Sequence, residues 1–114
     1  MSEKKRSWHL TKAYKSIKRD LLDQLEIDGV DGKFYLDLVE QYMNLWVTVQ
    51  ELDLDIKKRG IMVKYQNSKT QWGYKKNDSL DQRNRTLAQM VRILDWLNLK
   101  PTIAEIGDAD DYGL

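Results

Sequence analysis

The sequence predicts a mainly α-helical fold: a three-helix domain with one long central helix and a short β-hairpin, assembling into a ring. Three observations predict it. Tyr35, Leu38, Tyr42, Leu45, Val49, Leu52 and Ile56 recur at alternating steps of three and four residues, the heptad seam of a long packed helix. Shorter apolar stripes at helical spacing precede and follow that seam. Between them the polar stretch NSKTQWGYKKNDSL, residues 67 to 80, breaks the helical pattern around a single glycine.

Each element has its own local reason. Leu10, Ala13, Tyr14, Ile17, Leu21 and Leu25 give a first helix over about 9–27, with Lys12, Lys15, Lys18 and Arg19 around its apolar face. It stops in EIDGVDG, where Gly29 and Gly32 suit turn geometry and Asp31 is placed to cap the next helix. The second helix covers 33–59, and a further row, Leu36, Val39, Met43, Trp46 and Val47, lies beside its heptad seam. Two apolar rows exceed what one neighbouring helix covers, so Tyr35, Leu38, Tyr42, Leu45, Trp46, Val49, Leu52 and Ile56 are the expected oligomerisation surface.

The ending KKRG places cations at the negative end of the helix dipole and a glycine where a left-handed residue closes the helix. IMVKYQ then alternates as a half-buried strand does, pairing with QWGY across NSKT. A third helix over 79–99 starts with capping-box spacing, Asp78 with Asp81 or Ser79 with Gln82. Its buried stripe is Leu80, Leu87, Met90, Val91, Leu94 and Leu97, and Pro101 ends it by disfavouring helical geometry at Lys100. Residues 1–100 thus form a single helical domain and 101–114 an acidic C-terminal tail.

Composition narrows the function. With 41% apolar and 32% charged residues, and no apolar run near the roughly 20 residues of a membrane span, a soluble chain with no membrane partner is expected. MSEKKRSWHL lacks the apolar centre of a secretory signal, and the absence of cysteine suits a reducing cytoplasm. The net charge of +1 conceals banding: residues 1–19 sum to +6, 20–56 to −9, 57–85 to +7 and the tail from 101 to −4. Banding of this kind gives separate basic and acidic surfaces.

Catalytic groups are scarce. His9 is the one histidine, and it has no second histidine or cysteine with which to build a metal site or a triad. Asp53 and Asp55, two apart on a helix, point in different directions, and with the tail acids Asp108, Asp110 and Asp111 they read as solvated. VDGKFYL lacks the upstream glycine and the hydroxyl of a phosphate loop. No catalytic residue, metal site or cofactor is expected.

The basic constellation carries more. Lys4, Lys5, Arg6, Lys12, Lys64, Lys69, Lys75, Lys76, Arg83 and Arg85 are the candidate DNA-binding cations, with Tyr65, Trp72 and Tyr74 interleaved. The aromatics are expected to plug the apolar end of the helix pair, and the lysines to meet phosphates.

The order of features resembles the small subunit of tailed-phage terminases, in the branch of phages of Gram-positive bacteria. The likeness rests on IKRDLLDQLEIDG, on YLDLVEQYMNLWVTVQELDLDIKKRG closing in glycine, on YKKNDSL, and on LAQMVRILDWLNLKP. Lys76-Asn77-Asp78 stands where the family has a Lys-Asn-Pro-like element, and Leu97-Asn98-Leu99-Lys100-Pro101 where it has Leu-Gly-Leu-x-Pro. The resemblance implies a non-catalytic ring that binds the packaging site on double-stranded viral DNA and regulates the ATPase and nuclease of a separate large subunit, in the host cytoplasm. The alternatives are a helical protein–protein adaptor without DNA binding and a small metal-dependent nuclease.

Overall fold

The computed structural model describes residues 7–99. In order they form a 3-10 turn, Trp8–Leu10, then helix α1, Lys12–Ile27, helix α2, Lys33–Arg59, strand β1, Met62–Gln66, strand β2, Trp72–Lys76, and helix α3, Ser79–Trp96. Three helices and a two-stranded antiparallel hairpin are the elements the sequence predicts. The basic residues Lys4, Lys5 and Arg6, and the acidic tail from 101, lie outside the described residues.

α1 begins at Lys12 rather than at residue 9 because Thr11 caps it. Thr11 Oγ1 accepts from the Tyr14 backbone N–H at 3.2 Å and donates to the Trp8 carbonyl at 2.7 Å, tying the cap to the 3-10 turn before it. Its end is a Schellman closure: Val30 N–H reaches the Leu25 carbonyl at 2.9 Å and Gly29 N–H the Glu26 carbonyl at 3.0 Å. Asp31 does not cap α2; the cap position is Gly32, which makes no side-chain bond.

α2 runs roughly 40 Å at ~1.5 Å per residue. Its far end is Gly60, with φ 85° and ψ −179°, a backbone region open in practice only to glycine. α1 and α3 both pack on α2, so Leu38 and Val39 and Met43 are buried between Tyr14 and Leu25 of α1 and Ile93 of α3, with Leu97 and Leu99 completing the core. Val49, Leu52 and Met90 are also buried, farther along the chain's helices. This corrects the expectation that both apolar rows need a second copy: Leu38, Val49 and Leu52 of the heptad seam are already covered within one chain. Tyr35, Tyr42, Leu45, Trp46 and Ile56 stay half-buried.

α3 buries Met90 and Leu97 as predicted, with Leu80, Leu87 and Leu94 half-buried, and departs from its predicted stripe at Val91. Ile93 is buried, whereas Val91 is 57% exposed. It also ends sooner than 99, at Trp96, in a second Schellman closure: Leu99 N–H bonds to the Leu94 carbonyl at 2.9 Å and Asn98 N–H to the Asp95 carbonyl at 3.0 Å. Asn98 takes the left-handed conformation this requires, φ 57°. The stop is therefore local hydrogen bonding, in advance of the proline.

Candidate nucleic-acid interface

The hairpin sits at the C-terminal end of α2, in the register Met62 with Lys76, Lys64 with Tyr74 and Gln66 with Trp72 on one face, and Val63 with Lys75 and Tyr65 with Gly73 on the other. A network within the loop holds the tip, where Ser68 Oγ accepts from Gln71 N–H at 3.1 Å and Asn67 N–H donates to the Gln71 carbonyl at 2.9 Å. Of the ten strand residues Val63 and Gly73 are half-buried and the other eight are exposed. The alternation read as a half-buried strand therefore buries neither face. Nor do Trp72 and Tyr74 plug the helix pair: they are 56% and 68% exposed.

From Ile61 to Asn77 there is no acid, while Lys64, Lys69, Lys75 and Lys76 all lie in this span. Lys64 Nζ rests 4.6 Å from the centroid of the Trp72 ring. Lys75 and Lys76 reach Asp78 and Asp81 at 3.7 and 2.9 Å, exposed pairs that a phosphate can displace because such pairs contribute little. Arg83 and Arg85 belong to the first turns of α3, beside the hairpin's base. Arg83 is held by Asp53 of α2, and Arg85 is exposed. Lys12 is exposed on the first turn of α1, a separate element, so the structure does not bring it into the hairpin group. Trp8, however, donates its indole N–H to Glu51 Oε1 at 2.7 Å, which sets the start of the described chain against the hairpin half of α2. His9 lies against the Tyr14 ring, 4.7 Å between centroids.

What aims the hairpin is a polar cluster that sequence reasoning missed. Asn77 is 0% exposed, and all of its side-chain bonds join the end of α2 to the start of α3. Its Nδ2 donates to the Gly60 carbonyl at 3.0 Å and to Asp55 Oδ2 at 3.2 Å; its Oδ1 accepts from Ser79 N–H at 3.0 Å and from Arg59 Nη2 at 3.1 Å. Asn77 is thus the residue that caps α3. Asp78 makes no cap bond and already has helical angles, φ −59° and ψ −21°. Asp55, expected to be a solvated acid, instead takes both Arg59 bonds, at 2.7 and 2.8 Å, and the Ser79 hydroxyl at 2.7 Å. The signal available in the sequence was Asn77 itself, two residues before Ser79, where α3 starts.

The Arg59 hydrogen bonds, then that from Ser79, hold the Asp55 carboxyl well below the usual carboxylate range, outweighing the desolvation that opposes them. A depressed folded-state value contributes stability that is complete above the ordinary carboxylate pKa of about 3.9 and lost as pH falls below it. Urea midpoints should therefore decline on acidification below about pH 4, and Asp55→Asn should flatten that decline; equal acid sensitivity in both proteins would contradict this role.

A family model for the phage terminase small subunit matches residues 13–104. The chain belongs to that family. No curated protein and no solved structure matches it. At the two short elements where the sequence of this terminase small-subunit chain departs from the resemblance, Asp78 and Asn98 have the following backbone angles. Asp78 stands in for proline at a φ of −59°, the angle a proline ring imposes, one residue after the capping Asn77. Asn98 stands in for glycine at a positive φ, and asparagine is the residue other than glycine that tolerates that region best. In this terminase small subunit Asn77 and Asn98 lie at the start and the end of α3.

Proposed function

We propose that the chain is the non-catalytic DNA-recognition subunit of a phage packaging terminase. It binds double-stranded viral DNA through the lysines of the hairpin, assembles into a homo-oligomeric ring, and regulates the ATPase and nuclease of a separate large subunit in the host cytoplasm. The observation that carries the DNA reading is the hairpin: an acid-free ribbon bearing four lysines, with neither face packed on a helix. A two-stranded hairpin without a packed face is marginal in water, which favours one that gains its partner on binding. Lys4, Lys5, Arg6 and Arg85 are assigned to flanking phosphates, and Lys12 to a weaker contact.

Assembly is supported by apolar surface the chain does not cover. Trp96 is 65% exposed beside an open groove of about 420 Å³ between α2 and α3, lined also by Leu45, Ile93 and Arg92. Leu36 on α2 and Val91 on α3 are exposed as well. Half-buried Tyr35, Tyr42, Leu45, Trp46 and Ile56 are the part of the predicted oligomerisation surface that a neighbouring copy can still reach; Leu38, Val49 and Leu52 support it from beneath. A ring repeats one heterologous contact, which requires two different faces on each copy.

The expected result is a particle many times the 13.5 kDa of one chain by light scattering, and duplex binding that weakens steeply with salt. A monomer at micromolar concentration would remove the ring. A defined dimer that retains no duplex at low salt would establish the adaptor instead.

A further inference from the structure

The two faces of the hairpin are not equivalent. On one, the Tyr65 ring covers Gly73 so closely that a Cβ at that glycine would lie 3.1 Å from it; this face closes on itself. On the other, Met62, Trp72 and Tyr74 stand exposed with Lys64, Lys76 and Gln66 between them, and no helix covers them. We infer that this open face binds unpaired bases, with Trp72 and Tyr74 as stacking platforms and Lys64 and Lys76 on the adjoining phosphates. The inference rests on the DNA reading above and specifies which form of DNA the face takes.

Residues two apart on a strand stand about 6.6 to 6.8 Å apart, twice the roughly 3.4 Å between stacked bases, so the strand spaces the two platforms at a multiple of the base repeat. Paired bases hide their faces against each other and offer a protein only their edges. Unpaired bases offer the whole ring, which is what exposed aromatics beside cations engage. Lys64 Nζ lies 4.6 Å from the centroid of the Trp72 ring, so a cation already stands beside this platform. The direct cross-strand partner of Lys64 is Tyr74, so the same cation borders both platforms.

The test compares three DNAs on the full-length protein at one salt concentration: a twelve-residue oligothymidylate, a perfect duplex, and that duplex with four central mismatched thymines. The bubble should bind more tightly than the perfect duplex. In Trp72→Ala/Tyr74→Ala, affinity for the oligothymidylate and the bubble should fall about tenfold or more, with the perfect duplex changed less than twofold. Trp72→Phe should keep most of the affinity but lose the quenching of tryptophan emission on adding oligothymidylate. Both side chains are exposed, so unchanged circular dichroism is expected and separates lost binding from lost folding. Equal weakening on all three DNAs would mean that the face lies in the groove of intact duplex, and no change on any would mean that the rings meet no base; either overturns the inference alone. If the unaltered protein retains none of the three at low salt, the DNA reading itself falls.

Discussion

Replacing Asn77 with alanine is expected to lower the unfolding free energy by about 2–4 kcal/mol, on the order of 10–20 °C in melting temperature for a domain of this size. The effect is large because the amide is fully buried and joins the end of α2 to the start of α3 through every one of its side-chain bonds. Gly60 would keep a carbonyl, and Ser79 a backbone N–H, without the partner each now has. Asp55 would keep Arg59 and Ser79 but lose its third donor. Asn77→Asp tests the same site differently, since it preserves the cap acceptor while facing a carboxylate toward Asp55, and it should fare as badly as alanine. Urea unfolding at fixed protein concentration measures both, and a loss below about 1 kcal/mol would mean that the cluster does not hold α3 to α2.

The second large effect concerns duplex affinity. Lys69→Ala/Lys75→Ala/Lys76→Ala should reduce the slope of log affinity against log salt by about three, since each phosphate contact contributes roughly 0.9. At 0.1 M salt the same relation gives a loss of two to three orders of magnitude. Lys69 projects from the hairpin tip, and no ion pair holds it among the described residues; Lys75 and Lys76 must first exchange their acids for phosphate. Asp78 and Asp81 then remain beside the neutralised strand, which strengthens the effect. An unchanged slope with unchanged assembly would show that these lysines are only hydrated surface.

These two sites differ in how far the sequence disclosed them. The lysines were legible as a cluster, because charge patterning survives any arrangement of the chain. Their accessibility was not, since the same alternation of apolar residues describes a strand whether or not a helix lies on it. The Asn77 cluster was hidden for another reason. Its partners are 17 to 24 residues apart along the chain, and only the return of the hairpin brings the end of α2 to the start of α3. Asp53 and Asp55 illustrate the cost of reading one helix at a time: each appears solvated until α3 supplies Arg83 to the first and Ser79 to the second.

By itself the sequence determined the three helices, the span of α2, the glycine that ends it and the hairpin, because periodicity, dipole compensation and turn chemistry are properties of contiguous residues. Only the tertiary structure decided that Ile93 rather than Val91 faces inward, that one copy covers Leu38, Val49 and Leu52, and that Trp72 and Tyr74 face outward. The physical reason is that burial belongs to the neighbour as much as to the residue. An apolar side chain states its preference locally, and the packing of α1 and α3 along α2 determines which preferences are met.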